Sequence, residues 1–87
     1  MPALYRTRYT AAVPVPLAQL PLRTPCVVTA LFGARAVRRR LLELGLTPGT
    51  RIRVVGVSPL GDPLELEVRG SRLSIRKKDA LNIQVEP

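Results

Sequence analysis

Histidine and tryptophan are absent from this 87-residue chain, and cysteine occurs once, at Cys26. Each gap removes a class of chemistry. Without histidine there is no Cys/His cluster for zinc, and the side chain that most often serves as a general base is missing. A single cysteine cannot build an internal disulfide framework, so the chain reads as intracellular. Aromatic residues amount to 3%, which leaves little to stack on nucleic-acid bases and requires a core of Leu, Val, Ile and Ala. Acids are scarce as well, with 6 Asp plus Glu against 14 Lys plus Arg. Six scattered carboxylates do not suit a hard-cation site, which needs its oxygens clustered. Long apolar runs are lacking too. The opening "MPALYRTRYTAAVPVP" contains no signal-type apolar segment, and nothing later approaches the ~20 residues of a membrane span. We therefore expect no catalytic residue, no metal site and no cofactor.

What is present is 46% hydrophobic residues and a formal net charge of +8, in a length that makes one small domain. That charge suits an anionic partner: nucleic acid, acidic lipid or an acidic protein surface. Residues 1–16 carry Arg6 and Arg8 without an acid, and Pro14 and Pro16 bar a helix or an inner strand, so they read as a mobile basic tail. The domain proper is expected at 17–87. Leu17 and Leu20 would tuck beneath it, and "CVVTALF" would form the first strand.

Gly33 ends that strand, and "ARAVRRRLLEL" places Val37, Leu41 and Leu44 at helical spacing, predicting one core-facing stripe. Gly45 suits a left-handed helix stop with Leu46 folding back on Leu41. Pro48 and Gly49 then turn the chain. "RIRVVGV", "LELEVR" and "RLSIR" alternate apolar with polar residues and read as strands, the last two joined by a type II′ turn at Gly70-Ser71. That register pairs Val68 with Leu73 and Leu66 with Ile75. "KKDALN" reads as a helical turn and "IQVEP" as a closing strand. About five such strands with a helix after the first predict a mainly β fold closed as a small barrel.

Two features invite a functional reading. Asp62, in "PLGDPLEL", is the acid of a corner in which Gly61 tolerates positive φ and Pro63 leads into the next strand. With no second acid, histidine or metal partner in view, Asp62 reads as an acceptor for backbone N–H groups that holds the corner, not as a catalyst. The second feature is the helix surface. Arg35, Arg38 and Arg39 share its outer face, and Leu42 lies off the core stripe beside Arg38. A leucine rimmed by arginines resembles an apolar anchor for an acidic partner surface.

The stretch "RRRLLELGLTPGTRIRVVGVSPLGDPLELEVRGSRLSIRKKDA", Arg38 to Ala80, closely resembles the FeoA family of ferrous iron transport accessory proteins. The turn after the basic helix, the PLGDP corner and the RG-x-R-L-S-I-R hairpin occur in the family's order and spacing. Residues 17–37 resemble the family more loosely, with "LPLRTPCVV" in place of its usual Pro-Gly entry turn. The resemblance implies an SH3-like β-barrel with an inserted helix and no enzymatic activity. It implies a cytoplasmic protein, peripheral to the inner membrane through the FeoB ferrous iron transporter, whose cytoplasmic GTPase domain would be its partner. At the family level it also implies transition-metal binding, for which this sequence offers no ligand cluster. A different class stays open: a basic nucleic-acid-binding barrel, or a stand-alone relative of the C-terminal domain of DtxR-type repressors.

Overall fold

The computed structural model describes residues 14–87, so the expected tail lies outside the described residues up to residue 13. The chain forms strand β1 (Val15–Pro16), a 3-10 turn at Leu17–Gln19, β2 (Cys26–Leu31), helix α1 (Arg35–Glu43), β3 (Arg51–Val57), β4 (Leu64–Val68), β5 (Ser71–Ile75), the short helix α2 (Lys77–Ala80) and β6 (Ile83–Glu86). All neighbouring strands pair antiparallel, in the order β1-β6-β2-β3-β4-β5. To the expected strands the structure adds β1, which pairs Val15 with Val85 and Pro16 with Gln84. The sheet thus includes residues ahead of Leu17. Proline is tolerated there because β1 lies at the sheet margin, where a missing N–H breaks no inner ladder.

Alternation explains the core. Cys26 and Val28 of β2, Ile52 and Val54 of β3, Leu64, Leu66 and Val68 of β4, and Ile83 and Val85 of β6 are all buried, with polar or half-exposed residues between them. Leu17, from the 3-10 turn, and Ile75, from the far margin, belong to the same cluster. A flat sheet could not bring those two together, so the sheet curls around its apolar face. Register shifts at Val28/Ala30 and Val54/Gly56 supply the bends. Each fully buried Leu, Ile or Val contributes about 1.5–3 kcal/mol relative to exposure, and this aliphatic set replaces the missing aromatics.

Helix α1 starts without a side-chain cap on Ala34 and without an acid in its first turn. Its stop is better built. Leu46 N–H donates to Leu41 O at 3.1 Å and Gly45 N–H to Leu42 O at 2.9 Å, with Gly45 at φ +94° and Leu46 fully buried. This is the Schellman arrangement expected from Gly45. The expected core stripe needs one correction. Leu41 is buried and Val37 packs against the core, but Leu44 is 42% exposed. Leu44 is the C-cap residue, and Leu46, folding back, takes the core position that Leu44 would have filled.

The β4–β5 hairpin also differs from expectation. Val68 pairs with Ser71, Leu66 with Leu73 and Leu64 with Ile75. The turn residues are therefore Arg69 and Gly70, both at positive φ (52° and 82°), a type I′ turn in place of type II′ at Gly70-Ser71. The register is displaced by two residues, and because side chains alternate with period two, every residue keeps its face.

Candidate partner-binding surface

The residues proposed from the helix surface converge on one place. Arg35, Arg38, Arg39 and Leu42 line an open groove of about 380 Å³, together with Leu31 from the end of β2 and Pro48 from the turn after α1. Leu42 is 44% exposed, as its position off the stripe predicts. Leu31 and Pro48 were not anticipated as part of this surface. Leu31 carried a signal, since it is an apolar residue out of phase with Cys26 and Val28. Pro48 carried one in following directly on the helix stop.

The groove's lining is half apolar (Leu31, Leu42 and Pro48) and half cationic (Arg35, Arg38 and Arg39), and none of it is acidic. Among the described residues, the ion pairs are Arg40–Asp79 (2.8 Å), Arg53–Glu67 (2.6 Å) and Arg72–Glu65 (3.5 Å), so the three groove arginines are left free. Arg40 points away from the groove: its Nη2 donates to the buried Asp79 carboxylate and ties α1 to α2. Arg35 occupies the first turn of α1, where the helix dipole disfavours a cation by about 0.3–1 kcal/mol. A local rule broken without a compensating contact is what an outward-looking functional residue would show.

Asp62 and Cys26 both hydrogen-bond to backbone. Asp62 Oδ1 accepts the backbone N–H of Lys77 at 3.0 Å, which fastens the corner to the start of α2. The corner itself closes through Gly61 N–H on Ser58 O (2.7 Å) and Ser58 N–H on Pro63 O (3.1 Å). Asp62 thus holds the corner through backbone bonding, reaching farther along the chain than expected. Cys26 is buried and donates its Sγ–H to Ile52 O at 3.3 Å; burial pushes its pKa up from 9.0 to about 11, away from thiolate chemistry. No three His, Cys, Asp or Glu side chains cluster among the described residues, and no described helix is long and apolar enough to cross a membrane.

A small curled antiparallel sheet of six strands with one longer helix is an SH3-like fold, the description given to a solved neighbour. Residues 15–87 match the FeoA domain, and the chain belongs to that family. The resemblance carried by Arg38–Ala80 therefore extends forward through β2 to β1. Among solved structures, FeoA of Chlorobium tepidum is 38% identical with a TM-score of 0.77, over 83% of this chain and 69% of that one. Zinc-complexed FeoA of Stenotrophomonas maltophilia, described as an SH3 domain protein, is 36% identical with a TM-score of 0.70, over 80% of this chain and 87% of that one. An Fe(2+) transport protein A/Fe(2+) transporter FeoB fusion protein of Porphyromonas gingivalis is 34% identical over 70 residues, which are 80% of this chain and 8% of the fusion protein. The chain thus spans only a small part of that relative. IdeR of T. acidophilum, 21% identical with a TM-score of 0.75 over 85% of this chain and 34% of that one, shares the fold alone.

Proposed function

We propose that this protein is a non-enzymatic accessory of ferrous iron uptake that docks, through the Leu31/Leu42/Pro48 groove and its Arg35, Arg38 and Arg39 rim, on the cytoplasmic GTPase-bearing part of a FeoB-type transporter. The observation carrying this reading is the Porphyromonas gingivalis relative, in which a segment similar to this chain shares one polypeptide with FeoB. A tether raises the local concentration of the two parts to about the millimolar range, so a small, weak interface suffices there. A separate chain must supply its own affinity, and a leucine anchor ringed by three cations supplies both an apolar contact and steering toward an acidic face. The protein would then work in the cytoplasm, at the inner membrane only through its partner.

The test is a pair of neighbouring substitutions. Leu41→Glu buries a charge in the core and is expected to destabilise by more than about 4 kcal/mol, unfolding the domain. Leu42→Glu should leave the melt within about 0.5 kcal/mol of wild type while weakening binding to the purified transporter cytoplasmic domain by about tenfold or more. A Leu42→Glu protein that folds and binds normally would sink this docking surface. Salt separates the nucleic-acid alternative, to which the net charge of +8 gives some support. Phosphate binding falls about 10³-fold or more between 50 and 200 mM salt when several contacts are made, whereas binding centred on Leu42 should fall far less.

A further inference from the structure

The two margins of the sheet are built differently. β1, at one margin, carries Pro16 and follows Pro14. β5, at the other, contains no proline and pairs only with β4. We propose that the outer edge of β5 binds an extended, acidic segment of a partner protein by taking it up as an added strand, in the cleft between β5 and the back of α1. This surface is distinct from the Leu42 groove. Two residues advance about 200° around a helix, so Leu44 looks nearly away from Leu42.

The backbone supplies the first argument. A two-residue hairpin closes on a hydrogen-bonded pair, here Val68 with Ser71, and bonded pairs then alternate. Ser71, Leu73 and Ile75 face β4 with their backbone groups, while the N–H and C=O of Arg72 and Ser74 face outward. Both residues are exposed, and among the described residues no loop or turn backbone group bonds to either. A free pair of donors and acceptors along a strand edge is a template for another strand.

Cleft and charge supply the second. Beside this edge lies an open cleft of about 500 Å³ with Ser74 and Arg76 on the strand side, Arg40 and Leu44 on the helix side and Lys78 from α2. The half-exposed Leu44, surplus to the core, gives an added strand's side chain an apolar wall. The acid in this cleft, Asp79, is already engaged by Arg40, which leaves Arg76 and Lys78 without a carboxylate partner among the described ion pairs. The occupant follows from that charge. A second copy pairing antiparallel about Ser74 would set Arg72 opposite another Arg76, like charge on like. The chain's own first 13 residues contain Arg6 and Arg8 but no acid, so they are no better matched. An acidic segment from another protein fits.

The probe is a capped hexapeptide alternating Glu with Val, titrated into the isotopically labelled full chain. Saturable shifts at the Arg72 and Ser74 amides are expected, with slowed exchange of those two protons. Peptides with Lys for Glu, or N-methylated at alternate residues, should bind about tenfold or more weakly, since the first reverses the charge and the second removes the ladder donors. Ser74→Pro removes the outward N–H without touching the bonds to β4 and should abolish binding. Should that variant fold poorly, Arg76→Glu with Lys78→Glu should fold and lose affinity by the same order. No saturation by about 1 mM, unchanged affinity on N-methylation, or shifts confined to Leu31, Arg35 and Leu42 would overturn the proposal. Because Leu42→Glu leaves β5 untouched, it should bind the peptide normally, so this proposal and the transporter docking fail separately.

Discussion

Cys26 shows how far one residue's role depends on where its neighbours put it. On the page of the sequence it is the sole thiol; in the fold it is a small apolar wedge between β2 and β3 with its proton on Ile52 O. Its pKa is raised by burial from 9.0 to about 11, so the folded state holds the proton more tightly than the unfolded chain. The stabilisation from this thiol is complete below about pH 9 and is lost as pH climbs through about 11. Thermal melts between pH 8 and 11 should therefore fall more steeply for the wild type than for Cys26→Ala, lysine titration being common to both. A parallel slope would contradict the burial argument. Leucines teach the same lesson in reverse: Leu41, Leu42 and Leu44 are chemically identical, and only Leu41 is buried. The off-stripe position of Leu42 was readable from helical spacing. The exposure of Leu44 was not, because it depends on where the helix stop turns the chain and sets Leu46 in the core.

At the scale of elements, periodicity carried most of the fold. Strands β2 to β6, both helices and the Gly45 stop are where apolar spacing and turn residues place them. The hairpin register slipped by two residues because "RGSR" offers two adjacent two-residue turns, and parity cannot tell them apart. A physical criterion did exist: the expected register set Arg69 opposite Arg72, whereas the observed one sets Glu67 opposite Arg72. The turn's cost is Arg69 in the left-handed region at φ 52°, where Asn is better tolerated. Arg69→Asn is expected to stabilise the domain by about 0.5–1 kcal/mol, raising its melting point by about 2–8 °C. An unchanged or lower melting point would mean that the long Arg69 Nη2 to Thr50 Oγ1 bond (3.4 Å) outweighs the backbone strain. β1 escaped notice because two prolines in five residues argue against a strand unless its place at the margin is known.

For the molecule as a whole, the scarcity of acids that framed the sequence also frames its relation to iron. Four of the six acids, Asp79, Glu67, Glu65 and Asp62, are engaged by Arg40, Arg53, Arg72 and the Lys77 N–H, and among the described residues no three are grouped for a cation. Anaerobic calorimetry with ferrous iron is expected to show no saturable site near micromolar affinity on the monomer, and such a site would displace the accessory role toward direct metal handling. The candidate groove was half legible: helical spacing gave its arginines and Leu42, while Leu31 and Pro48 join it only once the sheet has curled. The curl also leaves the sheet with unlike ends. Growth of a fibre by edge pairing needs two receptive margins, one to give and one to accept at every step. Here Pro16 of β1 and Pro14 just before it blunt one of them. A strand captured at β5, as proposed, would therefore cap the sheet without seeding a polymer.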